Sequence, residues 1–345
     1  MMKRWRLLLL IGALLLAVAG VLGWLTYGRV FGPGPRFPEE ARIVLVPTGA
    51  DFEQVVDSLR VRGLLPDEPL FRAVAKRKGL TARIRPGRYR IPGGMSLNAL
   101  VNKLRGGEQE PVRVTFTNIR TLPQLAGHVA RYIEPDSAAL LAEFERQAAD
   151  GLNGLGPSTF ISLFIPDTYE FWWTVTPSAF VARMAREHTR FWTAERQARA
   201  KALGLSTMQV ATLASIVQAE TARADEAPTI AGVYLNRLRI GMPLQADPTL
   251  KFALGLDSIS RVLDADKLVD SPYNTYTHTG LPPGPINMPE RRFLDAVLHA
   301  PAHDYLYFCA RETLDGYSNF ARTYEQHQVN ARRYQRALNA RGIYR

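Results

Sequence analysis

Cysteine is almost missing from this sequence. Its single copy, Cys309, excludes an intrachain disulfide and any Cys-rich zinc site. The G-x-S-x-G elbow, the H-E-x-x-H pair and the Walker-type phosphate loop are all missing too. No internal repeat is visible. Glycine (26) and proline (23) are too sparse in 345 residues for a collagen-like or wholly disordered chain, and 46% hydrophobic with 22% charged residues is a globular balance. Acidic residues are outnumbered, 32 against 43 Lys and Arg, for a net charge of +11. That surplus suits nucleic acid, membrane headgroups or an anionic polymer, and equally suits solubility alone. The length fits one large domain or two to three ordinary ones.

What is present begins with a charge-free run of 21 residues, Leu7 to Tyr27. As a helix it would span about 31 Å, matching a hydrocarbon core of roughly 30 Å. Lys3, Arg4 and Arg6 precede it and only Arg29 follows closely, so the charge bias predicts a cytoplasmic N-terminus with the remaining chain outside. Ala17-Val18-Ala19 also fits a signal-peptidase site. Against cleavage, Val21, Leu22, Trp24 and Leu25 continue the apolar run beyond it, and Trp24 and Tyr27 suit an interfacial belt. Export removes nucleic acid and ATP from the expected partners, and a bacterial envelope location does not require a disulfide framework.

Gly32 to Pro38 is rich in turn residues and reads as a linker. Ile43 to Pro47 reads as a strand. Phe52, Val55, Val56 and Leu59 mark one helical stripe, stopped at Gly63. Leu70, Phe71 and Val74 mark a second helix closing at Gly79. Arg88 to Ile91 alternates as a strand, and Ser96 opens a third helix with Leu97, Leu100, Val101 and Leu104. This order resembles a LysM-like module, a small fold that holds aminosugar polymers. Pro111 to Thr117 predicts another strand, Leu122, Leu125 and Val129 a helix, and Ala148 to Ser158 a loop. The aromatics Phe160, Phe164, Tyr169, Phe171, Trp172 and Trp173 read as core or as a platform for sugar rings.

His299 and His303 are separated by Pro301, which disfavours the helix that would make them joint metal ligands. No metal and no cofactor is expected. Cys309, in the strand-like Tyr305 to Cys309, reads as filler rather than nucleophile. The informative helix opens at Ser206, where Ser206 and Gln209 form a capping box. Leu213, Ile216 and Val217 form its apolar stripe, and Glu220 lies on that stripe. A carboxyl aimed at an apolar face keeps its proton to higher pH, which a general acid for glycosidic cleavage requires. The plain alternative is a helix-end Glu paired with Arg237 or Arg239. Downstream loops carry amides, hydroxyls and rigid Pro/Gly turns, suited to a groove that binds sugar hydroxyls and N-acetyl groups.

These segments closely resemble the endolytic murein transglycosylases, the YceG-like family. The motifs are Phe164-Ile-Pro-Asp-Thr-Tyr-Glu-Phe171, Ala214-Ser-Ile-Val-Gln-Ala-Glu220, Asn236-Arg-Leu238, Leu244-Gln-Ala-Asp-Pro-Thr249, Tyr273-Asn-Thr-Tyr276 and Gly280-Leu-Pro-Pro-Gly-Pro-Ile286. Gln218 stands where many relatives have Glu, and Ser318 where His is frequent, while His327 matches. The resemblance implies an α+β chain. Its parts would be a cytoplasmic tail (1–6), a single transmembrane helix (7–27), a linker (28–40), a LysM-like βααβ module (41–108), a connecting segment (109–159) and a larger α+β catalytic domain (160–345).

It also implies Glu220 as catalytic acid/base, cleaving the β-1,4 bond between N-acetylmuramic acid and N-acetylglucosamine within peptidoglycan strands to leave 1,6-anhydro ends. The candidate substrate-binding residues are Gln245, Asp247, Asn274, Tyr276 and Asn236, and the expected partners are glycan strands and membrane-bound peptidoglycan synthases. A hydrolytic muramidase using Asp247 to activate water, and a non-enzymatic wall-binding scaffold, are the rival readings.

Overall fold

The computed structural model describes residues 2–36, 42–255 and 263–343. Residues 37–40 of the expected linker, and the expected module start at 41, lie outside the described residues. The chain is α+β, with helices predominating over three two-stranded sheets among the described residues. It divides into two compact units, Met1–Arg113 with Tyr132–Glu134 and Glu170–Val175, and Val114–Arg131 with Pro135–Tyr169 and Thr176–Arg345.

The first unit opens with α1 (Met2–Phe31). Its stretch Trp5–Phe31 is long and apolar enough to cross a membrane, with a mean hydropathy of 2.6. Leu8, Leu10, Leu16 and Trp24 are all more than 60% exposed, an apolar surface that water would not tolerate without a cover. After α1 the order is β1 (Ile43–Val46), α2 (Phe52–Val61), α3 (Glu68–Arg77), β2 (Gly87–Arg90) and α4 (Leu97–Gly106). This is the strand-helix-helix-strand-helix order read from the apolar spacing. β1 and β2 pair antiparallel, Ile43 opposite Arg90 and Val46 opposite Gly87. Val44, Val46, Val55, Val56, Leu59, Phe71, Tyr89 and Leu104 share one core. Asp51 caps α2 through a capping box with Gln54 that the stripe alone did not reveal.

The segment after α1 is held rather than loose. Gly34 N–H donates to Gly94 O and Gly94 N–H to Pro35 O, each at 3.1 Å. A Cβ on Gly34 would lie 2.0 Å from Met95 O, so only glycine permits this approach.

β3 (Val112–Phe116) pairs with β4 (Asp167–Phe171), and in the second unit the Thr115 and Thr168 hydroxyls meet at 2.7 Å and Phe116 stacks on Tyr169. Between them lie α5 (Leu122–Val129) and α6 (Ser137–Ala149). Phe160, Phe164, Tyr169 and Phe171 are buried and only Trp172, at 52%, is well exposed, so most of the aromatic cluster is core. Then come α7 (Pro177–Phe191), α8 (Ala194–Ala202), α9 (Thr207–Glu220), α10 (Ala227–Arg239), α11 (Asp247–Ala253) and α12 (Arg291–Leu298). β5 (Tyr307–Ala310), β6 (Ser318–Ala321) and α13 (Tyr324–Ala340) close the chain. Cys309 sits on β5, half-buried.

The core of this unit is built around α9, against which α10 and α12 pack. The Ser206–Gln209 capping box forms as the spacing predicted. The apolar stripe is a different matter. Every residue from Val210 to Val217 is buried, so α9 is a core helix covered on all sides rather than amphipathic. Glu220 is its last residue, where the helix emerges from that core.

Candidate active site

Two side chains on α9 fasten the proline-rich loop to the helix. Ser215 Oγ accepts from Ile286 N at 3.0 Å, while the Asn287 carboxamide donates to Ser215 O at 2.9 Å. One turn later, Gln218 accepts from Glu290 N at 2.7 Å and donates to Met288 O at 3.3 Å. Gln218 is therefore a clasp on backbone, and that work needs an amide, since a carboxylate could not donate. The loop itself requires Gly284, whose added Cβ would fall 2.0 Å from Ser158 O.

Glu220 is half-buried. Tyr234, on α10 and 1% exposed, donates its hydroxyl to Glu220 Oε1 at 2.9 Å. Among the described residues Glu220 has no ion-pair partner. Removal from water raises its pKa from 4.5 to about 7, and the nearby Asp247 charge adds to the rise. The Tyr234 hydrogen bond and the more distant Arg237 and Lys251 charges pull the other way without prevailing. Burial and the Glu220 carboxyl push the Tyr234 phenol well above its ordinary value, so it stays a donor.

The pairing of Glu220 with Arg237 or Arg239 does not form. Arg237 is buried and donates to Leu306 O at 2.7 Å and Leu244 O at 2.6 Å, with its pKa lowered by burial. Arg239 donates to Asn236 Oδ1 at 3.0 Å.

The five remaining candidates separate into two groups. Gln245, Asp247 and Tyr276 line up beside one another. The Gln245 N–H donates to Thr275 O at 2.9 Å, and the Tyr276 hydroxyl donates to Asp247 Oδ1. Gln245 is exposed, has φ of 51° and makes no side-chain hydrogen bond among the described residues. A non-glycine residue held in that region stores strain, which is a feature of ligand-contacting positions. Thr275 joins the two loops, accepting from Ala246 N at 3.0 Å and meeting the Thr249 hydroxyl at 2.9 Å.

Asn274 and Asn236 are occupied otherwise. Asn274 is fully buried, its amide donating to Lys267 O and Val269 O while its oxygen accepts from Tyr276 N. Asn236 donates to His303 O at 2.7 Å and Tyr305 O at 3.0 Å. Both hold backbone that shapes the site.

Tyr234 was not singled out from sequence, because a buried tyrosine five residues before the end of a neighbouring helix carries no motif of its own. His303 reaches across α10 to Thr229 O at 3.0 Å, a packing made possible by Gly232, where a Cβ would lie 2.4 Å from the ring. It therefore serves α10 rather than a joint site with His299. Ser318 contributes its backbone N–H to the buried Glu226 carboxylate at 2.9 Å, tying the segment after Glu220 to β6. His327 stacks on Tyr307 at 5.4 Å, and burial lowers its pKa.

The YceG-like family model matches residues 44–333. An endolytic murein transglycosylase of Bacillus subtilis is 28% identical over 304 residues, covering 84% of this chain and 83% of that protein. One from Streptococcus pneumoniae is 28% identical over 319 residues, covering 83% of this chain and 57% of that longer protein. The 2.6 Å crystal structure of a YceG-like protein from Listeria monocytogenes superposes with a TM-score of 0.56 at 26% identity, over 83% of this chain and 97% of that one. The matched span runs from β1 into α13 and takes in both units, and on that ground the chain belongs to the YceG-like family.

Proposed function

We propose that this protein is a membrane-anchored endolytic peptidoglycan lytic transglycosylase with Glu220 as its acid/base. One observation carries the reading: a carboxyl at the mouth of a buried helix, with no ion-pair partner among the described residues, held protonated to about pH 7 beside loops bearing free polar groups. The two relatives named endolytic murein transglycosylase support the same activity.

In this mechanism the Glu220 proton passes to the glycosidic oxygen between N-acetylmuramic acid and N-acetylglucosamine. The C1–O bond breaks with oxocarbenium character at the muramyl C1. The C6 hydroxyl of the same sugar attacks C1, and its proton returns to the Glu220 carboxylate. The product is a 1,6-anhydro end, and the carboxyl is regenerated. Because the nucleophile belongs to the substrate, one carboxyl is enough.

Tyr234 donates to Oε1, leaving Oε2 to carry the acidic proton. Burial, helped by the Asp247 charge that Tyr276 holds, keeps that proton on to about pH 7. Gln245 is the side chain free to meet a sugar, with Asp247 and Tyr276 beside it, whereas Asn274 and Asn236 shape the cleft through backbone.

The first 27 residues form a cytoplasmic tail and a single-pass anchor in the cell membrane, with the catalytic unit outside. The βααβ segment acts as a LysM-like module on glycan. Cleavage near the membrane would end elongation of nascent strands beside membrane-bound synthases. Digestion of purified glycan strands, with ends read by mass, tests the reaction class. Anhydro ends are expected, and reducing ends would establish a muramidase with Asp247 activating water in place of this mechanism.

A further inference from the structure

We propose that the cleft between the outer end of α1 and the α3–α4 face of the first unit binds the headgroup of an anionic phospholipid. This rests on α1 being a membrane anchor, as proposed above. The apolar stretch Trp5–Phe31 has 27 residues, about 40 Å as a helix. A hydrocarbon core of roughly 30 Å accommodates about 20 of them, so the last two turns rise into the headgroup layer.

At that level lies an open cleft of about 620 Å³, within the usual size of small-ligand sites. Its apolar wall includes Tyr27 and Phe31, stacked at 4.7 Å, and Val74. Its polar rim is Arg77, Lys78 and Asn98. An apolar wall under a cationic rim matches a glycerol backbone carrying a phosphate.

The charge distribution singles out this end of α3. Arg60 and Arg72 are neutralised by Glu68 and Glu53 at 2.7–2.9 Å. Arg77 is exposed and has no acidic partner among the described residues. Lys78 donates to the neutral Asn102 carboxamide at 2.8 Å. Two cations without a counter-charge among the described residues thus stand at the C-terminal end of α3, on the rim of this cleft, while a second cleft beside α1 holds the Arg29–Asp67 pair, 3.7 Å apart. The Gly34–Gly94 hydrogen bond and the close approach of Gly34 to Met95, on the neighbouring cleft, fix the chain that leaves α1.

The test uses the full chain in nanodiscs of equal phosphatidylglycerol and phosphatidylcholine, with retained lipid counted by native mass spectrometry. Phosphatidylglycerol should be retained selectively. Neutralising the rim with Arg77→Gln and Lys78→Gln should lower the selectivity by about fivefold per cation, about thirtyfold together. Hydrogen exchange across α3 should be unchanged, showing that the unit remains folded. Equal retention of both lipids, an unaltered ratio in the double variant, or displacement by soluble glycerol phosphate would each overturn the assignment. So would a mature mass lacking α1. Cleavage of soluble glycan by the same preparation is read separately, so lipid selectivity with no cleavage sinks the catalytic reading alone.

Discussion

Replacing Glu220 with Gln should change how stability depends on pH in a way that reports this half-buried carboxyl directly. Glutamine keeps the shape and still accepts from Tyr234, but cannot ionise. In the folded protein the Glu220 pKa is raised from 4.5 to about 7, so the folded state favours the neutral form. Wild type is therefore least burdened below pH 4.5 and loses stability as pH climbs through 7. At 1.36 kcal/mol per pKa unit the full loss would be about 3 kcal/mol, and the accessible part of the residue trims this to about 2–3 kcal/mol. The variant should match wild type near pH 4 and exceed it by that amount at pH 8. Urea unfolding in detergent at a series of pH values measures the difference, with the buried Trp192 as a fluorophore in the same unit. Other titrating groups are common to both proteins and cancel. A pH-independent difference, or one that grows toward acid, would refute the claim that the native environment shelters the protonated carboxyl.

Asp247→Asn removes a charge that holds the Glu220 proton, so the alkaline limb of glycan cleavage should move to lower pH. Tyr234→Phe removes the bond that opposes the rise, so that limb should move to higher pH. The rate at pH 6 should drop about tenfold or more from lost orientation of the carboxyl. Gly284→Ala drives a methyl into Ser158 O and should lower stability by about 2 kcal/mol or more in thermal unfolding, with no change in the pH limb of the surviving activity.

The local rules written in this sequence are readable where period and capping act together. The βααβ order follows from apolar spacing and from stops at Gly63 and Gly79, which have φ of 67° and 72°. The start of α9 follows from Ser206 and Gln209. The local rules fail where a tertiary environment overrides the period. Three apolar positions on α9 suggested a stripe, yet Ala211, Thr212, Ala214 and Ser215 are buried on its other faces, because small residues let neighbouring elements approach closely.

The partner of Glu220 was also out of reach, since Arg237 is drawn to the carbonyls of Leu244 and Leu306 and a tyrosine fills the gap. Asn274 and Gln245 looked equivalent as loop amides. Only the fold distinguishes an amide sealed inside a turn from one held at the surface on a strained backbone.

The central claim is that one protonated side chain, Glu220, delivers the proton that breaks the glycan strand. Incubating uncross-linked strands with matched amounts of wild type and Glu220→Gln, and counting new chain ends by mass spectrometry, tests it most directly. Wild type should release anhydro-ended fragments, and the folded variant should fall short by at least about 10²–10⁴ in rate. Fragments appearing at comparable rates from both proteins would contradict it.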